Sequence, residues 1–143
     1  MGITKTTHDS RSFEDLLRVM TFDFFGSGRH KITYDELFSF RGAVLLDIRS
    51  DEEIESLNFT INEEIPVLRI PTDEIPDRLD EIPLDRPIAI FCSAGIRASI
   101  VYAYLYTKGY DNIQILIGGL SGLVEHAKPG KIWKRRFKSG NIT

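Results

Sequence analysis

The chain has 143 residues, of which 42% are hydrophobic and 27% are charged. This length and composition are typical of one globular domain with a sizeable core, and they exclude wholesale disorder. No apolar run approaches the roughly 20 residues that cross a bilayer, and a single cysteine excludes an internal disulfide. We therefore expect a cytoplasmic protein that does not act in a membrane.

The net charge of −3 conceals a division of charge along the chain. From Lys128 onward there are six basic and no acidic side chains, whereas the preceding 127 residues carry 12 basic and 21 acidic ones. A basic terminal segment of this kind is most often solvated. It can also dock on an acidic body or attract a polyanion. Binding of RNA or another acidic partner through this tail therefore remains an alternative. Trp133 beside Lys134 mixes aromatic and basic character in a way that suits RNA, although a tryptophan of this kind more often anchors a tail to its own domain.

The first 30 residues are predicted to form an extension with one short amphipathic helix. Residues 1–11 are polar and are expected to be loose, and Ser12 then has the character of an N-cap. The Gly26-Ser27-Gly28 run is expected to end the helix. Its apolar face is predicted to consist of Leu16, Leu17, Met20 and Phe24.

Strands and helices are predicted to alternate over residues 31–127. The predicted strands are residues 31–34, 43–46, 65–70, 88–91 and 113–117. The predicted helices and helical turns are residues 34–40, a segment from 51, short turns within 73–82, and residues 98–108 and 120–127. Thr33 and Ser50 are expected to cap helices. Residues 31–34 are expected to form an edge strand, and Pro66 indicates an edge position or an irregular start for its own strand. The pattern predicts an α/β fold with three α/β/α layers, a mainly parallel sheet of about five strands and helices on both faces.

The most specific stretch is Cys92-Ser93-Ala94-Gly95-Ile96-Arg97, between a predicted buried strand and a predicted helix. Such a loop brings successive backbone N–H groups and a helix N-terminus toward one point, which favours an anion and the thiolate form of a cysteine. The small residues allow a ligand to approach the backbone, and Arg97 has the forked donor that binds anions. A nucleophilic cysteine is therefore predicted here.

Asp47 and Arg49 follow the second predicted strand, where polar side chains tend to lie near the ligand crevice of an α/β sheet. They are candidates for supporting the site. A local ion pair that braces the end of the strand is the simpler expectation, and we do not expect a direct catalytic role.

Together these motifs resemble the single-domain rhodaneses, a family of sulfurtransferases. The family pattern Cys-x-x-Gly-x-Arg, followed by Ala or Ser, is met by Cys92, Gly95, Arg97 and Ala98. The family's early Asp-x-Arg is met by Asp47 and Arg49, and its late Gly-Gly by Gly118 and Gly119. The resemblance covers roughly residues 31–127 and leaves the extension of residues 1–30 and the basic tail of residues 128–143 outside. The family's Gly-His-Ile-Pro-Gly-Ala stretch is absent from residues 56–64, and the aromatic residue that often follows Gly-Gly is missing.

The resemblance implies that Cys92 accepts a sulfane sulfur from thiosulfate or a persulfide and passes it to a thiol or to cyanide. Backbone N–H groups of Ser93, Ala94, Gly95, Ile96 and Arg97 would then stabilise the sulfur, and Arg97 would bind the donor's anionic end. The expected partners are a small anionic donor and a thiol acceptor, either a small molecule or a protein. Neither a metal nor an organic cofactor is expected.

Two alternatives remain. Phosphatases and arsenate reductases use a related cysteine-to-arginine loop, but theirs holds five residues between the two whereas this one holds four. A non-catalytic rhodanese-like module, which binds or regulates a partner or senses oxidants through Cys92, is the more serious alternative.

Overall fold

The computed structural model describes residues 10–61 and 64–137. Five parallel strands form one sheet in the order β1-β5-β4-β2-β3. The strands are β1 Lys31–Ile32, β2 Val44–Asp47, β3 Val67–Arg69, β4 Ile88–Phe91 and β5 Ile113–Leu116. The helices are α1 Phe13–Val19, α2 Phe22–Ser27, α3 Tyr34–Ser39, α4 Asp51–Ser56, α5 Ile96–Thr107, α6 Gly119–His126 and α7 Pro129–Phe137. Two 3₁₀ helices, Thr72–Glu74 and Pro76–Glu81, lie between β3 and β4.

Two hydrophobic cores cover the two faces of this sheet. Successive side chains of a strand point to opposite faces, so Leu46 and Ile90 pack with α1, α2 and α5. Leu45 and Ala89 pack on the other face with α3 and α6. The predicted three-layer α/β/α fold with a parallel sheet is confirmed.

Strands β2 and β4 are buried at every position, as their continuous apolar runs predict. Strand β3, which follows Pro66, lies at one edge of the sheet, and β1 lies at the other. Both edge positions were expected from the sequence. The prolines between β3 and β4 limit the chain there to the two short 3₁₀ helices.

The N-terminal segment differs from its prediction because it forms two helices instead of one. Ser12 caps α1 through a complete capping box with Asp15, as expected. The chain leaves the helical conformation at Met20, and the Thr21 side chain accepts from the Phe24 N–H to cap α2. Of the predicted apolar face, Leu16 and Phe24 are buried, whereas Leu17, one residue further around α1 from Leu16, is exposed. Residues 1–9 of the polar start lie outside the described residues. Arg11 was expected to be loose, but its guanidinium donates to the carbonyls of Tyr106 and Tyr110 at 3.0 and 2.8 Å.

The basic tail contains α7, a helix that the sequence analysis did not predict. Pro129 occupies its first position, where the missing N–H of proline costs nothing. The Arg135 guanidinium lies 4.0 Å from the centre of the Phe38 ring and donates to the His126 carbonyl at 2.8 Å. The helix thus contacts the body through Arg135, while Trp133 is 56% exposed. None of the described helices has the length and apolar character to span a membrane.

Candidate active site

Cys92 follows β4 directly and opens the Cys92 loop, which we define as residues 92–97. Its side chain is 3% exposed. Gly95 has a φ of +86° and forms the N-cap of α5, a conformation that side-chain-bearing residues rarely adopt. This turn directs the Gly95 N–H back toward Cys92, where it donates to Sγ at an N···S distance of 2.9 Å. A donor fixed in this way, together with the N-terminus of α5, stabilises negative charge on sulfur.

A cavity of about 350 Å³ opens beside this cysteine. Three segments line the Cys92 cavity: the start of β1, the Cys92 loop with the first turn of α5, and the end of β5 with the turn that follows it. The lining residues are His30, Lys31, residues 92–95, Ser99 and residues 115–119. No carboxylate belongs to this lining among the described residues. The cavity therefore suits an anionic ligand.

The turn after β5 packs tightly against the Cys92 loop. Gly119 has a φ of +53°, and a Cβ built there would lie 2.8 Å from the Ser93 carbonyl oxygen. The Tyr34 hydroxyl donates to the Gly119 carbonyl at 2.6 Å. Burial raises the pKa of Tyr34 to about 12, so the hydroxyl keeps its proton at neutral pH. A glycine at position 119 is thus needed for the close approach of the two loops.

Arg97 lies outside the cavity lining, and its guanidinium extends toward α4. Its Nη1 and Nη2 donate to the two carboxylate oxygens of Glu53 at 2.6 and 3.0 Å, and Nη2 also donates to Ser93 Oγ at 2.9 Å. The Arg97 guanidinium lowers the pKa of Glu53 to about 2. Glu53 also accepts the backbone N–H of Ser50 in the capping box of α4. One carboxylate therefore joins the start of α4 to the Cys92 loop.

Asp47 and Arg49 form an ion pair at the end of β2 and are 0% and 1% exposed. Arg49 Nη2 donates to Asp47 at 2.8 Å, and Arg49 Nη1 donates to the Leu57 carbonyl at 2.8 Å. The guanidinium lies 5.0 Å from the Phe59 ring centre and 5.4 Å from that of Phe91. The expected local pair is present, and it ties the segment after α4 to the ends of β2 and β4.

The structure separates the predicted site residues into three groups. Cys92, Ser93, Ala94 and Gly95 line the cavity. Ile96 is 73% exposed and, like Arg97, lies outside the lining. Asp47 and Arg49 are buried at the end of the neighbouring strand. The catalytic role of Cys92, the binding roles of residues 93–97 and the supporting roles of Asp47 and Arg49 remain predictions.

Sequence reasoning missed Glu53, Lys31 and His30. The capping box Ser50-x-x-Glu53 drew attention to Glu53 only as part of a helix start, and no local signal links it to Arg97. His30 precedes the edge strand β1 and Lys31 opens it. The position of β1 next to β5 follows only from the order of the strands in the sheet.

Comparison with known proteins agrees with this architecture. Residues 32–126 match the rhodanese-like domain. The chain belongs to the rhodanese family. A sulfurtransferase of Allochromatium vinosum is 37% identical over 87 residues, which cover 60% of this chain and 76% of the relative. A thiosulfate sulfurtransferase of Actinobacillus succinogenes is 28% identical over 87 residues, which cover 61% of this chain and 74% of the relative.

A solved structure supports the same assignment. A rhodanese-like domain protein from Staphylococcus aureus superposes with a TM-score of 0.54 at 30% identity, covering 65% of this chain and 89% of that one. The predicted resemblance to the rhodanese family is therefore confirmed for the fold, and the relatives named here include sulfurtransferases.

Proposed function

We propose that this protein is a sulfurtransferase that carries a sulfane sulfur on Cys92, from thiosulfate or a persulfide donor to a thiol or cyanide acceptor. The observation that carries the proposal is the Gly95 N–H···Sγ contact of 2.9 Å on the wall of a cavity whose described lining has no carboxylate. The named relatives support a transferase of this class.

In the first half-reaction the Cys92 thiolate attacks the outer sulfur of thiosulfate. A new S–S bond forms, the S–S bond of the donor breaks, and sulfite leaves with the electron pair. The product is a Cys92 persulfide, whose terminal sulfur carries the negative charge. Because the first turn of α5 and the Gly95 N–H lie at this point, the charge develops close to fixed dipoles that need little rearrangement.

In the second half-reaction an acceptor thiolate or cyanide attacks the terminal sulfur. The Cys92 thiolate is the leaving group, so the starting form returns with no net oxidation of the protein. Cys92 is the only cysteine of the 143 residues, and no second thiol of the chain can resolve the persulfide as a disulfide. The acceptor must therefore be a separate molecule that reaches the cavity.

The rival proposals make different use of the same loop. A phosphatase would need room for a tetrahedral phosphate, but this loop holds four residues between Cys92 and Arg97 and turns the arginine to Glu53. A purely binding module would not need a thiol on the cavity wall with an aligned N–H donor. We therefore favour sulfur transfer over both.

Turnover with thiosulfate and cyanide tests the proposal. Thiocyanate should form continuously with the native protein and should fall to the uncatalysed rate in Cys92→Ser, which keeps the size of the side chain. A non-transferring module would give no thiocyanate above background with thiosulfate or with glutathione persulfide. Hydrolysis of p-nitrophenyl phosphate without thiocyanate formation would instead indicate the phosphatase.

A further inference from the structure

Lys31 lies on the same face of the sheet as Cys92. It pairs in register with Ile115, which in turn is level with Ile90, and paired residues of a parallel sheet project to one side. Ile115 packs against the core that contains Cys92, and Ile32 is buried on the opposite face. The alternation of side chains thus places Lys31 on the face covered by α5, in agreement with its place in the cavity lining.

The spacing of the strands fits a ligand between the two residues. Lys31 is two strands away from β4, and Cys92 is two positions beyond the level of Lys31. Strand spacing and rise then give a Cα separation of about 12 Å. The long flexible stem of lysine is able to cross part of this distance, and a small molecule placed between its ammonium group and Sγ would fill the rest.

The charge of Lys31 is not neutralised by a neighbour. No carboxylate of residues 10–61 and 64–137 lies within ion-pair distance of it. The adjacent His30 is 8% exposed, and burial together with the positive charge of Lys31 lowers the pKa of its imidazole. Because that ring is neutral at pH 7, Lys31 is the formal cation of the cavity wall.

Arg97 is the cation that the loop motif suggests for binding the donor, but its hydrogen bonds are directed elsewhere. Both terminal nitrogens are engaged with Glu53 and Ser93, at distances of 2.6 to 3.0 Å. Three of the five N–H donors of Arg97 are thus already committed, whereas none of the described carboxylates engages the Lys31 ammonium.

We propose that Lys31 forms an anion subsite that holds the oxyanion end of the sulfur donor while its sulfane sulfur faces Cys92. The identification of the ligand as a sulfur donor rests on the proposed function, whereas the anion subsite itself does not. The shared chemistry is a short molecule with a sulfonate or carboxylate at one end and an electrophilic atom at the other.

Alkylation of Cys92 tests the subsite without any sulfur transfer. Iodoacetate and iodoacetamide react with the same thiol, but only iodoacetate carries a carboxylate, and the protein has a single cysteine to report on. The rate constant for iodoacetate divided by that for iodoacetamide should fall about three- to tenfold in Lys31→Met. The ratio should return to the native value in Lys31→Arg. It should also fall with added salt in the native protein more than in Lys31→Met.

Lys108→Met is the matched control, because Lys108 follows the far end of α5 and contacts the Tyr104 ring. It should leave the ratio unchanged. An equal ratio in the native protein and Lys31→Met would overturn the subsite, as would an equal drop in Lys108→Met. Thermal melting of each variant verifies that it is folded.

Steady-state kinetics then distinguish the donors. Lys31→Met should raise the KM for thiosulfate several-fold with little change in kcat, and glutathione persulfide shows whether a carboxylate-bearing donor depends on Lys31 in the same way. If the alkylation ratio depends on Lys31 but no thiocyanate forms, the subsite stands and the proposed function fails. If thiocyanate forms and the alkylation ratio is independent of Lys31, the proposed function stands and the subsite fails.

Discussion

Glu53 and Arg97 are 44 residues apart in the chain and form a bidentate ion pair, with O···N distances of 2.6 and 3.0 Å. The pair connects the first turn of α4 with the first turn of α5. Because Arg97 also donates to Ser93 Oγ, the pair is linked to both Ser93 and Arg97 of the Cys92 loop. We interpret it as the element that keeps the loop in its cradle shape.

The pair is therefore predicted to act on catalysis through the loop. Glu53→Gln and Arg97→Met should each lower kcat/KM about 10- to 100-fold, the range that follows from losing a hydrogen bond between charged groups. The double variant should lose little more than either single one, because both remove the same interaction. The rate of Cys92 alkylation by neutral iodoacetamide should change in parallel. Losses that multiply in the double variant would show that the two side chains act separately.

The low pKa of Glu53 predicts a particular dependence of stability on pH. The folded value of about 2 lies below the ordinary value of 4.5, so the unfolded state binds the proton more readily. The contribution of Glu53 is then complete above pH 4.5 and is lost as the pH falls from there toward 2. Urea unfolding between pH 6 and 3 should show a steeper loss in the native protein than in Glu53→Gln. Parallel curves would contradict the assigned pair.

Gly119 is predicted to be intolerant of any side chain. A Cβ would lie 2.8 Å from the Ser93 carbonyl oxygen, and the φ of +53° is unfavourable for alanine. Gly119→Ala should therefore destabilise the protein by about 1–3 kcal/mol and lower kcat/KM by displacing the Cys92 loop. Gly26→Ala is the matched control, since Gly26 is a helical glycine with nothing within 4 Å of its Cβ position. It should leave activity unchanged, and an equally active Gly119→Ala would refute the close packing.

The exposed face of α7 leads us to expect binding of single-stranded RNA. Trp133 and Phe137 are exposed, their ring centres are 5.4 Å apart, and basic residues flank them. Bases stack on such rings while phosphates contact the cations. Trp133 is the only tryptophan, so its fluorescence should be quenched by oligouridine and the affinity should fall in Lys134→Glu/Arg136→Glu and with salt. Lys108→Glu is the control, and a signal that does not respond to RNA would reject this partner.

Local patterns were sufficient for the sheet and for the Cys92 loop. The continuous apolar runs of β2 and β4 predict buried parallel strands, and Pro66 predicts the edge position of β3. Cys92 and Gly95 could be singled out because strand, small residues and helix follow one another directly in the chain. In each case the information lies within a few neighbouring residues.

The remaining features depend on contacts between distant segments. The local motif predicts that Arg97 binds an anionic ligand. In the structure Glu53 pairs with Arg97, because α4 packs against the Cys92 loop. Lys31 approaches the cavity only because β1 pairs with β5, the last strand in sequence. The break at Met20 was missed because both halves of the segment have helical periodicity, and the cap at Thr21 outweighs the continuous pattern.

Intact-protein mass spectrometry after thiosulfate treatment measures sulfur transfer to Cys92 directly. We expect a gain of one sulfur atom on the native protein, its removal by cyanide as thiocyanate, and no gain on Cys92→Ser. A native protein that gains no sulfur from thiosulfate or from glutathione persulfide, or a Cys92→Ser variant that gains as much, would contradict a persulfide carried by Cys92.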